Sequence, residues 1–311
     1  MRIGCRLVSW PADTVTLLDR VAVHEATKRA SPWDALFVAC LFMSLLLCAA
    51  FASSAMAAGL GCAGGPVDET ATVAQVIDGD TVRLSDGRSV RLIGINTPEI
   101  GRKGKPSEPL ARKAGAALKR FLGANGKSRP EIGLQYGQEK HDRYGRLLAH
   151  VYLPDGKSVE EYMLKQGWGA QIVVPPNVEH LECYRAAERI ARQTNKGVWR
   201  GIYQPVPVEQ LPRDTRGFRI ITGRVTRVGK SKRSLWINFP RRPGEAPREG
   251  FAVRISHKDI KLYEGWPTNS QKQALSRFLP NKTVTVRGWM YTYKKQLVMR
   301  VRHPASLEVK P

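Results

Sequence analysis

Short runs of alternating apolar and polar residues begin at residue 71 and are separated by turn-forming sequences. The first run, residues 71–77, ends at Asp78-Gly79-Asp80, and the second, residues 81–84, ends at Ser85-Asp86-Gly87. Alternation with a period of two is typical of strands that bury one face, and an Asp-Gly pair is a strong hairpin signal. The pattern therefore predicts three successive strands, of which the third covers residues 89–95.

Further along the chain the spacing of apolar residues becomes helical. The apolar residues of the segment 108–122 share one helical face: Leu110, Ala114, Ala117, Leu118 and Phe121. We also predict helices at 159–167 and 178–194, and strands at 132–134 and 147–153. This order indicates an α+β or mainly β fold, in which a five-stranded barrel of the OB-fold type is accompanied by helices.

A second region follows residues 201–217, which hold three prolines and no periodic pattern, and which we interpret as a linker. Strand-like runs then occur at 218–228, 234–239, 251–256, 283–293 and 296–302, with a helical segment near 258–279. Five strands with a helix between the third and fourth predict a second, OB-like barrel. The predicted domains are therefore 58–200 and 218–311, preceded by an N-terminal extension, residues 1–57.

The extension ends in an apolar stretch, residues 33–57, that closes with Ala55-Met56-Ala57. A small-x-small sequence after an apolar run is typical of a signal peptide cleavage site. The stretch is also long enough to span a bilayer. The sequence therefore predicts an exported protein, periplasmic or secreted, with a membrane anchor at residues 33–57 as the alternative.

The formal net charge of +23 is concentrated in the C-terminal region. Residues 216–311 contain 22 Lys or Arg and 5 Asp or Glu. This excess of positive charge favours binding to polyanions, of which nucleic acid is the first candidate and an anionic membrane surface the second.

Two cysteines, Cys62 and Cys183, remain after the predicted cleavage. An even pair in an exported chain suggests a disulfide. Two free thiols are the alternative.

The stretch VIDGDTVRLSDGRSVRLIGINTPE, residues 76–99, combines acidic groups and arginines. Phosphodiester hydrolysis needs a cation, a base and positive groups that stabilise the transition state. Asp80 offers a carboxylate, and the Asn96 side chain and the Thr97 carbonyl offer neutral oxygens of the kind that hard cations bind. Glu99 is a candidate base, while Arg91 and Arg146 are candidate phosphate ligands.

Three motifs in this order, VIDGDTV, RLIGINTPE and DRYGR, closely resemble the staphylococcal thermonuclease family. The resemblance extends from about Ala71 to Trp199. It implies an OB-fold core, a Ca²⁺ cofactor and endonucleolytic cleavage of DNA and RNA that leaves 3′-phosphates.

The resemblance also implies roles for individual residues. Asp80 and the Thr97 carbonyl match the family's metal ligands, and Asp78 matches an acidic residue next to these ligands that does not bind the metal itself. Glu99 matches the general base. Arg91 and Arg146 match the catalytic arginines. Tyr144 matches a residue of the nucleotide pocket, and its neighbour Arg143 is a further candidate for substrate binding. The chain departs from the family at Asn96, where an aspartate ligand is usual, so we expect weaker calcium binding with Asn96 as the third ligand.

The strand 283–293 in the basic region carries a second candidate surface. Alternation puts Arg287, Trp289, Tyr291 and Tyr293 on one face, opposite an apolar face. Aromatic side chains beside cations form stacking platforms for single-stranded nucleic acid. The alternative is that a helix covers this face and that the aromatic residues form a second core.

These features favour an exported Ca²⁺-dependent endonuclease of DNA and RNA, with a basic module that holds the substrate. One alternative is a catalytically weak nucleic-acid-binding protein that retains the nuclease fold. Another is a cell-envelope protein whose basic region binds anionic lipid or lipopolysaccharide. The sequence gives no sign of a protein partner.

Overall fold

The computed structural model describes residues 62, 64–102, 104–246, 249–264, 266 and 275–310. The predicted signal or anchor, residues 33–57, lies outside these residues. Within the described part of the chain, no helix is both long and apolar enough to cross a membrane.

The first barrel is closed and has five strands: β1 (Glu69–Asp78), β2 (Thr81–Leu84), β3 (Ser89–Leu92), β5 (Glu131–His141) and β6 (Leu147–Tyr152). Their order is β1-β2-β3-β6-β5, with β5 returning to β1. Only the β3–β6 pair is parallel. Two shorter strands, β4 (Ile95–Asn96) and β7 (Ala170–Gln171), pair beside the barrel. The predicted barrel of the α+β fold is thus confirmed.

Three helices pack on this barrel: α1 (Ala111–Phe121), α2 (Val159–Lys165) and α3 (Leu181–Gln193). The predicted starts of the first and third helices were three residues too early. Leu110 and His180, the residues before α1 and α3, have φ of 70° and 55°, a left-handed conformation that cannot continue a right-handed helix. Helix α2 begins at Ser158, whose side chain accepts a hydrogen bond from the Glu161 amide.

The sulfur atoms of Cys62 and Cys183 form a disulfide that joins the start of the described chain to helix α3. The backbone amide of Cys62 also donates to Glu161 Oε2 at 2.7 Å. The segment before β1 is therefore held to two helices.

The proline-containing segment 201–217 has more structure than a linker. It contains strand β8 (Val206–Pro207) and a 3₁₀ turn, Val208–Gln210. Tyr203 within it is fully buried. It packs in an apolar cluster with Trp199 and with Phe218 of the following region. Burial of these side chains fixes the segment in place, which the absence of periodicity could not indicate.

The C-terminal region is rich in strands: β9 (Gly217–Arg224), β10 (Arg227–Lys230), β11 (Ser234–Asn238), β12 (Ala252–Ser256), β13 (Thr283–Tyr293), β14 (Gln296–Arg300) and β15 (Leu307–Val309). The strands follow the order β10-β11-β12-β14-β13-β9-β8, and β15 pairs with β13. A short helix, α4 (Leu275–Phe278), precedes β13. The OB-like assignment of this region stays a prediction.

Because only two residues separate β9 from β10, the sheet must curl to bring its two ends together. Its concave side holds an apolar core that includes Ile221, Ile237, Val253, Val286 and Met299.

Candidate active site

The turn after β1 carries Asp78 and Asp80. It lies next to Thr97 and to helix α1. The Asp80 amide donates to Asp78 Oδ1 at 3.2 Å, which shapes the turn. A Cβ on Gly79 would lie 2.8 Å from Thr97 Oγ1 and 2.9 Å from the Ala114 Cβ. Only glycine allows the turn, the loop and helix α1 to approach this closely.

Asp80 is buried and its carboxylate is the centre of a hydrogen-bond network. Its Oδ2 accepts hydrogen bonds from the Thr97 amide at 2.7 Å and from Thr97 Oγ1 at 3.1 Å. Arg91 Nη2 lies 3.1 Å from the same oxygen. These contacts fix the carboxylate and hold the start of the 96–99 loop against it.

Asn96, the departure from the family pattern, is buried beside Thr97. Its Nδ2 donates to the Tyr203 hydroxyl at 2.9 Å, with a longer contact of 3.4 Å to the Thr97 carbonyl. Its Oδ1 is buried and receives no hydrogen bond from the residues that the structure describes. Tyr203 was missed by the sequence analysis, because it follows the matching motifs in a segment interpreted as a linker.

Glu99 lies at the exposed rim of a cleft, beyond this buried group. Although it is exposed, the protein atoms around its carboxylate restrict hydration and raise its pKa, and the charge of Asp80 raises the pKa further against the effect of Arg91. Its backbone amide donates to Glu108 Oε2 at 3.0 Å. Arg219 Nη1 in turn donates to Glu108 Oε1 at 3.2 Å. No motif marks Glu108 or Arg219, so the sequence analysis had no signal for either.

Asp78 is a second acidic group beside Asp80. Burial raises the pKa of Asp78 to about 7, and the neighbouring Asp80 charge contributes to the shift. A bound cation would lower the cost of keeping both carboxylates ionised.

The cleft has a volume of about 480 Å³ and is lined by groups of both charges. Asp78 and Glu99 face it together with Arg83, Arg102, Lys105 and Arg146. Positive side chains around an acidic centre suit a phosphodiester strand that passes over it.

The two predicted catalytic arginines have different surroundings. Arg146 lines the cleft, with its Nε and Nη2 each 2.7 Å from Asp142 Oδ2. Arg91 is buried, and besides Asp80 it contacts the Leu92 carbonyl at 2.6 Å. The structure thus brings Arg146 into the cleft, while Arg91 holds Asp80.

Tyr144 and Arg143 lie on the exposed turn that precedes Arg146. The Tyr144 side chain is 68% exposed. The Arg143 and Arg146 guanidinium carbons lie 4.7 and 5.6 Å from its ring centroid. A largely exposed ring with two cations close to it is suited to contact a nucleotide.

The donors at the site suit a hard cation. The Asp80 carboxylate, Asn96 Oδ1, which accepts no hydrogen bond from the described residues, and the Thr97 carbonyl are oxygen ligands of the type that calcium binds. The set contains one carboxylate and two neutral oxygens. Across the described residues, the one cluster of three His, Cys, Asp or Glu ligand atoms is Cys62, Glu161 and Cys183, whose two cysteines form the disulfide.

On strand β13, the predicted binding face does not have uniform exposure: Arg287 is buried, whereas Trp289 and Tyr293 are exposed. Arg287 is only 5% exposed, and its Nη1 lies 2.8 Å from both carboxylate oxygens of Glu188 in helix α3. The prediction of Arg287 as a substrate-binding residue is therefore corrected: helix α3 covers it, and it forms a buried ion pair.

The aromatic residues further along β13 are accessible to different degrees. Trp289 and Tyr293 are 43% and 48% exposed, and Tyr291 is partly buried. Trp289 contacts Phe218 edge-on, with ring centroids 5.3 Å apart. Tyr293 lies almost parallel to Trp236, at 6.3 Å between centroids and 29° between planes.

Cations flank this second aromatic pair. The Arg254 guanidinium lies 5.9 Å from the Trp236 ring, and Lys294 Nζ lies 5.8 Å from the Tyr293 ring. The accessible platform therefore consists of Trp236, Tyr293 and Trp289, with arginine and lysine beside them. Trp236 belongs to it because β11 and β13 lie on the same curled sheet.

Comparisons with known proteins agree with the motifs. The sequence profile of the family described as staphylococcal nuclease homologue matches residues 89–201. The chain is 33% identical over 136 residues to the thermonuclease of Staphylococcus hyicus, a match that covers 42% of this chain and 76% of that protein. It is also 31% identical over 133 residues to endonuclease YncB of Bacillus subtilis, covering 41% of this chain and 60% of that protein. The chain therefore belongs to the staphylococcal nuclease homologue family.

Proposed function

We propose that the protein is a calcium-dependent endonuclease that hydrolyses phosphodiester bonds of DNA and RNA and leaves 3′-phosphates. The observation that carries the proposal is the position of Glu99 in one cleft with Arg146, directly beyond the Asp80–Thr97 hydrogen bonds. The names of the relatives, thermonuclease and endonuclease, support the nuclease assignment.

Glu99 would act as the general base. Its carboxylate faces the open cleft, and its raised pKa makes it a stronger base than an ordinary glutamate. It would take a proton from water as the water oxygen attacks phosphorus. The bond from phosphorus to the 5′ oxygen would then break and the leaving oxygen would take a proton from solvent water, leaving the phosphate on the 3′ side and a 5′-hydroxyl.

Arg146 would stabilise the additional negative charge of the transition state. It lines the cleft, and Asp142 orients its guanidinium through Nε and Nη2. A guanidinium held in advance needs little reorganisation when charge develops on the phosphoryl oxygens. Arg91 would act on the same centre through Asp80, which it contacts at 3.1 Å.

Calcium would be held by Asp80, Asn96 Oδ1 and the Thr97 carbonyl, and when bound it supplies positive charge that polarises the phosphate. With a single carboxylate among these groups, we expect the affinity to be low and the calcium requirement to reach the millimolar range.

The C-terminal region would hold the nucleic acid substrate. Its basic residues outnumber the acidic ones, 22 to 5 over residues 216–311. The pair of exposed Tyr293 and partly buried Trp236, flanked by Arg254 and Lys294, supports a stacking site for unpaired bases. We propose that the enzyme acts after export, directed by residues 33–57, and the disulfide at Cys62 suits an oxidising compartment.

One observation favours a second candidate, a nucleic-acid-binding protein with little catalytic activity. Asn96 leaves the metal site with one carboxylate, so calcium could bind too weakly to support turnover. The two candidates differ in whether Glu99 has any function.

The test is cleavage of 5′-labelled single-stranded DNA and RNA by wild type, Glu99→Gln and the control Glu139→Gln, in calcium. Glu139 is an exposed glutamate on β5 that is not among the residues lining the cleft. We expect 3′-phosphate ends from wild type and the control, and a loss of about 10²- to 10⁴-fold in rate for Glu99→Gln. Equal rates for all three proteins would contradict the role of Glu99, and binding without cleavage would support the second candidate.

A further inference from the structure

The loop that carries Asn96, Thr97 and Glu99 is contacted by residues from outside the matched family region. We propose that the C-terminal sheet positions this loop, residues 96–108, through Tyr203, Arg219 and Arg287. The catalytic consequence of this inference rests on the proposed nuclease function. The positioning itself can be tested without it.

The first contact is made by Tyr203, which comes after the region that the family profile matches. Its hydroxyl accepts the 2.9 Å hydrogen bond from Asn96 Nδ2. The ring is fully buried and packs edge-on against Phe218 of β9, with centroids 5.2 Å apart. Because β9 fixes the ring, the hydroxyl fixes the Asn96 amide, and with it the direction of Asn96 Oδ1.

This contact gives a physical reason for asparagine at position 96. An amide nitrogen can donate to the tyrosine hydroxyl while the amide oxygen stays available to a cation, whereas with a carboxylate the hydroxyl would have to be the donor. The burial of Asn96 Oδ1 without a hydrogen bond from the described residues fits this division of roles.

The second contact is made by Arg219, the residue after Phe218 on β9. Arg219 Nη1 donates to Glu108 Oε1 at 3.2 Å, while Glu108 Oε2 accepts from the Glu99 amide at 3.0 Å. The Glu108 amide also donates to the Glu99 carbonyl at 2.9 Å, which closes the loop. Glu108 therefore transmits the position of β9 to the backbone of Glu99.

The third contact is made by Arg287 on β13, which pairs with Ile220 of β9. Arg287 Nη1 donates to the Gln171 carbonyl at 3.1 Å, and Glu188, its ion-pair partner, accepts from the Gln171 amide at 2.6 Å. Gln171 is the register partner of Ile95, next to Asn96. Two neighbouring strands of the C-terminal sheet thus hold the loop from its start and from its end.

The test uses the full chain with the variants Tyr203→Phe and Arg219→Gln, and with Arg224→Gln as control. Arg224 is an exposed arginine at the far end of β9. Amide exchange of peptides covering residues 96–108 is measured by mass spectrometry without calcium. We expect about 2- to 12-fold faster exchange in the first two variants, as for the loss of one hydrogen bond, and no change in the control. Exchange equal to wild type in both variants would overturn the inference.

Two further measurements separate positioning from general stability. Calorimetric titration with Ca²⁺, in the absence of nucleic acid, should show about 2- to 12-fold weaker binding for Tyr203→Phe. A double-mutant cycle with Asn96→Ala should give non-additive effects, because both changes remove the same hydrogen bond. Additive effects would overturn the link between Tyr203 and Asn96.

For Arg219→Gln, kcat on a short oligonucleotide should fall with little change in KM, since the variant acts on the Glu99 backbone. A change in KM for long DNA alone would show that Arg219 holds substrate and would overturn its positioning role. If wild type neither bound calcium nor cleaved, the proposed function would fail while the exchange measurement still decided the inference.

Discussion

The buried ion pair between Arg287 and Glu188 gives a quantitative prediction for stability. Both side chains are 4% exposed, and Arg287 also contacts Glu308 at 3.2 Å. The substitution Arg287→Ala would leave the Glu188 carboxylate buried, with Arg192 as its remaining cationic neighbour at 3.6 Å. It would also remove the hydrogen bond to the Gln171 carbonyl.

Removing one partner of a buried ion pair costs about 3–5 kcal/mol of unfolding free energy, because the other charge stays buried. For a folded unit of this size, each kcal/mol shifts Tm by roughly 2–4 °C. We therefore expect Arg287→Ala to lower Tm by about 6–20 °C.

The assay is scanning calorimetry of the full chain, with Arg185→Ala as the matched control. Arg185 is on helix α3 and pairs at 3.3 Å with Glu182, whose side chain is 78% exposed. An exposed pair contributes about 0–1 kcal/mol, so the control should lose at most about 4 °C. A Tm for Arg287→Ala within the range of the control would refute the reasoning that this arginine holds the two regions together.

Three further predictions concern other parts of the molecule. Asn96→Asp should lower the half-saturating calcium concentration about tenfold or more, because it adds a second carboxylate; an unchanged or higher value would exclude position 96 from the metal site. Burial raises the pKa of Glu160 from its ordinary 4.5 to about 8, so its stabilising contribution is complete below pH 4.5 and is lost as the pH rises through 8. Glu160→Gln should flatten the fall in Tm over this range, and a parallel fall in both proteins would contradict the shift. Trp236→Ala or Tyr293→Ala should weaken binding of a single-stranded oligonucleotide about 5- to 150-fold, measured by fluorescence anisotropy, and unchanged affinity would remove the platform.

Most of the first barrel and of the candidate site could be predicted from the sequence, because short-range sequence signals determine them. Asp-Gly turns and strict alternation define β1 to β3, and the ordered motifs bring Asp80 next to Thr97 and near Glu99. The helix boundaries were less accurate, since the left-handed residues Leu110 and His180 are neither glycine nor asparagine.

The contacts between the two regions could not be predicted from patterns along one strand. Arg287 alternates with apolar core residues on β13 and therefore looked solvent-exposed, yet helix α3, about 100 residues earlier in the chain, covers it. Tyr203 and Arg219 are similar cases, because their partners Asn96 and Glu108 are more than 100 residues away. Such long-range pairs depend on how two folded regions pack.

The packing of the C-terminal region against the first barrel gives this basic region a structural role in addition to the proposed binding of substrate. Its first strand, β9, contacts Tyr203 and the 96–108 loop through Phe218 and Arg219, while Trp236 and Tyr293 remain accessible. Removing the whole region would therefore disturb the proposed active site as well as the substrate-holding surface.

The most direct test of the central proposal is nicking of supercoiled plasmid by the full chain across a calcium titration, with a chelator as the zero point. We predict nicking that is absent in chelator, rises into the millimolar range of calcium and is abolished by Glu99→Gln. Tight plasmid binding with no nicking at any calcium concentration would contradict the proposal and would identify the chain as a binding protein with a nuclease fold.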